Sequence, residues 1–246
     1  MRCFEPNIMT LKHLGESYMT SNDCITGTEA KAADRYAMDV LGMESLKLME
    51  TASRKAADYI MAHFPERETL ITVLCGTGNN GADGVCTARM LLAEGYQPNV
   101  FLAGNMEKAS WELLYQLVYF QLAGGAVTIY DQSVLLPDGD VLVDGIFGIG
   151  LHREIAGIYR ELIQEANRHR HEFVLAIDAP SGINTDTGAL MGCGIAADLT
   201  ITFGRNKTGL VDGDGRAYAG KVVVEDIGIP DEAYEKVRLL QRNDCV

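Results

Sequence analysis

The sequence contains no run of about eighteen apolar residues, so no segment is a candidate for a membrane-spanning helix. Cysteine pairs in the C-x-x-C spacing are also missing. The six cysteines (Cys3, Cys24, Cys75, Cys86, Cys193 and Cys245) are scattered, a pattern that encodes neither a zinc site nor a dense disulfide framework. Basic residues are in deficit: Lys and Arg total 21 against 34 Asp and Glu, for a formal net charge of −13. Such a chain lacks the basic patch that nucleic acid or an anionic membrane requires, so neither is expected as a partner. The first 23 residues have neither the apolar core nor the small-residue cleavage site of a signal peptide. They also carry Glu5, Glu16 and Asp23, which a transit peptide avoids. We read residues 1–23 as an N-terminal extension and expect free thiols and a cytoplasmic location.

What is present is an ordinary globular composition, 47% hydrophobic and 22% charged over 246 residues, which fits one large α/β domain. Thr26 and Glu29 form a capping-box pair that opens a helix, with Ile25 ahead of them as a hydrophobic staple. A second helical stretch, "SLKLMETASRKAADYIMAHF", places Leu48, Met49, Ala52, Ala56 and Ile60 on one face and stops at Pro65. From "TLITVLC" onward, short β-rich runs alternate with helical ones: "QPNVFLAG", "AVTIY", "DVLVDGIFG", "EFVLAIDAP", "ADLTITFG" and "GKVVVEDIG". This alternation predicts βαβ units and a mostly parallel sheet covered on both faces. The domain is expected to span residues 24–230, leaving 231–246 as a C-terminal tail.

The stretch "CGTGNNGADG", Cys75 to Gly84, satisfies the dinucleotide spacing G-x-G-x-x-G through Gly76, Gly78 and Gly81, and it lies between a strand and a helix. The other half of that fingerprint is an acid at the end of the next strand. Here that strand ends "VFLAGN", with no acid before Glu107. Hydride transfer by a nicotinamide-dependent dehydrogenase is therefore disfavoured. The loop instead carries Asn79, Asn80 and Asp83, side-chain oxygens that a tight turn does not require.

Two further strand ends bear oxygen: Asp144 closes "VLVD", and Asp178 closes "VLAID" ahead of Pro180, Ser181 and Gly182. A lone aspartate at a strand end reads as a turn-former or helix cap. A sheet ordered 3-2-1-4-5, however, brings all three strand ends into one crevice, the place where open α/β sheets bind ligands. Amide, carboxylate and hydroxyl oxygens suit a hard cation, and with so few carboxylates both a monovalent ion and magnesium remain open.

Taken together and in order, these motifs resemble the NAD(P)H-hydrate epimerases. "CGTGNNGADG" is similar to that family's N-N-G-G-D-G loop. "VDGIFGIGLHREIAG", "AIDAPSGINTDTG" and "ADLTITFGRNKTGL" are similar to its later segments, and "LGMESLKLMETAS" and "GKVVVEDIGIP" to its first and last. The resemblance implies a Rossmann-like three-layer αβα sandwich, often a homodimer, with a potassium ion at the site. It implies interconversion of the R and S forms of NADHX and NADPHX, nicotinamide cofactors hydrated at ring carbon six. A separate dehydratase would consume the product.

Carried over, the resemblance places Asn79, Asn80, Gly81, Ala82 and Asp83 against the hydrated cofactor. Asn80, Asp144 and Ser181 would hold potassium. Gly148, Ile149, Gly150, Leu151, His152, Arg153 and Glu154 would form a phosphate-side loop, and Asp178 would face the nicotinamide ring. Arg153 and, less directly, Lys207 are candidate phosphate partners. This sequence departs from the family pattern at Thr77, where proline is common, and at Ala82, where glycine is usual. Thr51 and Ser53 also stand where Asn and Gly are expected. Ala82 matters only if its backbone needs a positive φ.

Inversion at a carbon bearing a hydroxyl beside a ring nitrogen requires a proton to be delivered and retrieved, and Asp178 is the expected catalytic acid/base. The alternative is a catalytically silent Rossmann-like binding or scaffold module, to which the drift at Thr51, Ser53 and Ala82 points.

Overall fold

The computed structural model describes residues 24–243, in which seven strands form one sheet with every neighbouring pair parallel. In chain order the elements are α1 (Gly27–Asp39), α2 (Ser45–His63), β1 (Ile71–Cys75), α3 (Asn79–Ala93), β2 (Asn99–Leu102), α4 (Trp111–Leu122), β3 (Val127–Ile129) and β4 (Gly139–Gly145). There follow α5 (Ile158–Ala166), β5 (His171–Ile177), β6 (Leu199–Phe203), the short α6 (Thr208–Val211) and α7 (Gly215–Tyr218), β7 (Lys221–Glu225) and α8 (Asp231–Asn243). The αβα class expected from the sequence is the fold observed.

Strands buried on both faces need apolar residues at every position. Along β1, Val73 and Cys75 belong to the core beneath α2, α3 and α4, while Leu74 between them belongs to the core on the opposite face, with Leu162 and Ile163 of α5. β4 repeats the pattern with Val141 and Val143 on one side and Leu142 on the other. These two clusters are the layers that α-helices close over.

The strand order is β3-β2-β1-β4-β5-β6-β7, the expected 3-2-1-4-5 extended by two strands. Chain progression reverses between β1 and β4, whose carboxyl ends are level, with Cys75 opposite Gly145. That reversal opens the crevice in which the site lies.

The Thr26–Glu29 capping box at the start of α1 is complete, and Ile25 is buried beside it. Ile25 is also tied to the loop after β6: its N–H donates to the Asn206 carbonyl, and its carbonyl accepts from the Thr208 N–H. At the other end of the domain, the stretch expected as a tail forms α8, which packs on α1 through Ala233, Tyr234 and Val237. Those three apolar residues are spaced for one helix face but stand in an otherwise highly charged segment. The extension 1–23 and residues 244–246 lie outside the described residues.

Candidate functional site

The loops leaving β1, β4 and β5 open onto a cavity of about 750 Å³, roofed by α1 and α2. Its volume is within the range of small-molecule sites, roughly 300–1,000 Å³. α3 begins at Asn79 immediately after β1, so the unpaired N–H groups of its first turn face the crevice. Tight packing explains the glycines here. A Cβ on Gly81 would lie 1.8 Å from the Gly76 carbonyl oxygen, and one on Gly76 would lie 2.3 Å from that of Ile146.

Ala82 settles its own question. It lies inside the first turn of α3 and is buried in the core, and among the described residues only Asp178 is a non-glycine with positive φ. The extra methyl is accommodated. Ser53 has a role too: its hydroxyl donates to the Asp83 carbonyl at 3.1 Å, pinning α2 to the first turns of α3. Thr51 bonds only within its own helix, to the Lys47 carbonyl.

Asp144 is fully buried at the end of β4. Its carboxylate accepts from the Ser181 N–H at 2.7 Å, the Ser181 hydroxyl at 2.5 Å and the Ile146 N–H at 3.3 Å. Burial outweighs those hydrogen bonds and pushes its carboxyl up to about 6. Ser181 also receives the Phe147 N–H at 2.9 Å, which fastens the β4 and β5 loops to each other. Close by, Asn80 leaves its buried Nδ2 without a hydrogen-bond partner. Gly148 sits where a Cβ would lie 3.0 Å from Asn80 Oδ1 and 3.1 Å from Asp178 Oδ2. Asn80, Asp144, Ser181, Gly148 and Asp178 thus meet at the same strand ends.

Asp178 holds a left-handed backbone, φ 66°, a conformation that is uncommon outside glycine and concentrates at functional sites. Its carboxylate is surrounded by donors: Lys207 Nζ at 2.8 Å, the Thr202 hydroxyl at 3.2 Å and the Ile149 N–H at 3.4 Å. Lys207 is only 2% exposed, and its ammonium also donates to Thr202 Oγ1 at 2.7 Å and the Phe203 carbonyl at 2.9 Å. With its donors committed to protein acceptors, Lys207 anchors Asp178 and is not available as a phosphate partner.

The remaining predicted residues divide. Asn79, Asn80, Asp83, Gly148, Ile149, Gly150 and Arg153 line the cavity with Asp178. Gly81 and Ala82 pack beneath it. Leu151 is buried in the core against α5, and His152 and Glu154 are exposed away from the lining. Arg153, together with Lys31 and Lys108, places exposed cations at the cavity wall, and none of the three has an ion-pair partner among the described residues. Against a net charge of −13, these three cations make one stretch of the wall basic, while Asp34, Asp83 and Asp178 line the same cavity.

Sequence reasoning missed Asp34, Thr77 and Tyr159. Thr77 and Tyr159 join the β1 loop to α5 through a hydroxyl pair at 3.0 Å, beside the cavity. Nothing in the sequence aligns two residues so far apart. Asp34 did leave a signal, because it lies one turn beyond Ala30 on the stripe of α1 that Ala30, Ala33 and Ala37 bury. Burial pushes its carboxyl up to about 6, with Lys207 pulling it down and Asp178 adding to the rise. Asp83 is pushed well above the carboxylate range by burial and by the neighbouring charges of Asp178, Asp34 and Glu112.

Comparison with known proteins agrees with this geometry. The family described as YjeF-related protein N-terminus matches residues 45–209. A protein of Limosilactobacillus fermentum named NAD(P)H-hydrate epimerase is 42% identical over 84% of this chain and 97% of its own length. Proteins of the same name from Limosilactobacillus reuteri and Levilactobacillus brevis are 38% and 36% identical, each over 83% of this chain and 95% and 94% of their own. The crystal structure of yeast ynu0 superposes with a TM-score of 0.72 at 22% identity, covering 87% of this chain and 93% of that one, and shares the fold. With the family's signature spanning two thirds of its length and relatives matched nearly end to end, the chain belongs to the YjeF-related N-terminal domain family.

Proposed function

We propose that this chain is an NAD(P)H-hydrate epimerase, an isomerase that interconverts the R and S forms of the hydrated nicotinamide cofactors. The observation that carries this reading is the convergence of Asn80, Asp83 and Asp178 with exposed cations on one cavity of about 750 Å³. Relatives that match nearly end to end carry that name. In this reading the ring lies against Asp178 and Asp83, and the pyrophosphate lies toward Arg153, Lys31 and Lys108. The N–H groups at the start of α3 supply further anion donors. A scaffold without chemistry has no use for an anchored, left-handed Asp178.

The donor set at the strand ends fits a hard monovalent cation. Asn80 offers an amide oxygen near Gly148, Asp144 is a buried carboxylate with no ion-pair partner among the described residues, and Ser181 is hydroxyl-bearing and fully buried. Asn80, Asp144 and Ser181 would hold potassium there. Bound, it supplies positive charge to the Asp144 carboxylate and holds the β1, β4 and β5 loops in place. No helix among the described residues is long and apolar enough to cross a membrane. A cytoplasmic enzyme supplying a separate dehydratase is the corresponding cellular reading.

A homodimer also belongs to this reading. α4 displays Trp111, Leu114, Tyr115, Val118, Tyr119 and Leu122 to solvent along one stripe. The helix's charged residue, Glu112, is buried and accepts from the Ser45 hydroxyl. Two copies at −13 each can approach most easily through a charge-free face, and an exposed apolar helix face packs readily against itself about a two-fold axis.

The test of the activity uses an equilibrated R/S mixture of NADHX, an ATP-dependent dehydratase specific for the S form, and this protein with potassium. Consumption of the whole mixture at a rate proportional to this protein is expected. A plateau at the S fraction would remove the epimerase reading and leave the scaffold.

A further inference from the structure

α1 brings a carboxylate to the cavity that serves no structural purpose there. Asp34 caps no helix and makes no hydrogen bond or ion pair with any described residue, although it is largely withdrawn from water. The charged and titratable groups around it come from several elements: Lys207 after β6, Asp178 after β5, Asp83 on α3 and Tyr234 on α8. Lys31 of its own helix stands on the cavity wall as well.

We infer that Asp34 is the second proton-carrying group of this site, working opposite Asp178 in the inversion. The inference rests on the epimerase reading. Inversion at one carbon places the departing and arriving hydroxyls on opposite faces of the ring, so two groups on different walls serve it better than one. Asp178 is fixed at the end of the sheet by Lys207, and Asp34 projects from the roof helix.

In one direction, Asp34 gives its proton to the hydroxyl oxygen as the bond to ring carbon six breaks, and the electron pair leaves with the oxygen as water. The lone pair of the ring nitrogen forms a C=N double bond. Water then adds to the opposite face, the π electrons return to nitrogen, and the surplus proton passes to the Asp178 carboxylate. The reverse turnover, or exchange with solvent, restores the starting state. Asp178 is held in one position by Lys207 and Thr202 at the sheet end, whereas Asp34 receives no hydrogen bond from any described residue. Asp83 is the rival for the proton. Burial and the neighbouring carboxylates push its carboxyl up, and its own backbone carbonyl is pinned to Ser53 of α2 in the first turns of α3, whereas Asp34 stands on the roof helix with no hydrogen bond to any described residue.

The test is Asp34→Asn in the full chain, with NADHX as probe. Turnover in the wild type comes first, because its absence would overturn the epimerase reading itself. Given wild-type turnover, Asp34→Asn is expected to lose roughly 10²–10⁴-fold in kcat with KM within about threefold. Its kcat/KM profile should also lose one of the two limbs that a shared proton gives the wild type, and its melting temperature at pH 7.5 should not fall. Asp34→Ser serves as a second variant with the same expectation. Wild-type kcat with both limbs intact in either variant would overturn the inference. So would a loss confined to KM, or one accompanied by a fall in melting temperature, since these mark a binding or structural role.

Discussion

Lys207 spends its hydrogen bonds inside the protein, on Asp178, Thr202 and Phe203, and is more deeply buried than lysines normally tolerate. Removing one partner of such a pair leaves the other charge buried and uncompensated. Lys207→Met is therefore expected to destabilise by about 3–5 kcal/mol. Adding Asp178→Asn should recover part of that loss, giving a positive coupling in a double-mutant cycle measured by urea unfolding. Additive losses would mean that the pair contributes nothing as a pair. Asp34 has the opposite sign. Its native value of about 6 lies above the ordinary 3.8, so the folded protein holds the proton more tightly than the unfolded chain. The carboxylate then costs stability in full above about pH 7, and the cost disappears only as the pH falls below the ordinary 3.8. Asp34→Asn should be more stable than wild type by about 1–3 kcal/mol at pH 7.5 and indistinguishable from it near pH 3. Chemical denaturation at the two pH values checks this, and a pH-independent difference would contradict it. Gly148→Ala tests the crowding at the strand ends. Its methyl would press on Asn80 and Asp178 side chains at 3.0 and 3.1 Å. We expect a turnover loss of at least tenfold with a stability change of less than about 1 kcal/mol, the signature of a displaced site in an intact fold.

At the scale of elements, the sequence was most readable where one physical rule acted alone. The capping box of α1, the apolar runs of the strands and the punctuation of the β1 loop each announced their element, because each depends on neighbours in sequence. The supposition of a 3-2-1-4-5 order, which the sheet obeys, brings Asn80, Asp144, Asp178 and Ser181 to one crevice. α8 is not legible in the sequence because its buried residues, Ala233, Tyr234 and Val237, are diluted among charged ones. The positions of Lys207 and Tyr159 depend on which side chain meets which across the cavity, and spacing along the chain holds no record of that; only Asp34 left a trace, in the stripe of α1. The expectation for Lys207 shows the consequence: read as a loop cation for phosphate, it proves to be an internal anchor. Thr77 and Tyr159 link the β1 loop to α5, so Tyr159→Phe should loosen that loop and raise KM several-fold with little effect on kcat. Steady-state kinetics with NADHX decides it, and unchanged KM would show the hydroxyl pair to be incidental.

For the whole molecule, the parallel sheet fixes where chemistry can occur, and the charge distribution sorts the surface. Lys31, Lys108 and Arg153, with no ion-pair partner among the described residues, stand at the cavity wall, and α4 presents an exposed face without charge. If that face joins two copies, Val118→Glu should convert a dimer to a monomer by light scattering while turnover persists, because Val118 is exposed on the outer face of α4 and does not line the cavity. A wild-type monomer at micromolar concentration would reject the interface. The central claim is that the convergent strand ends invert the hydrated carbon of the cofactor. The most direct measurement starts from the pure S form of NADPHX in potassium buffer and follows the appearance of the R form by chromatography, with wild type and Asp178→Asn in parallel. Rapid approach to the R/S equilibrium by the wild type, with Asp178→Asn near the spontaneous rate, is the predicted result. Equal rates for the two proteins, or no acceleration by either, would contradict it.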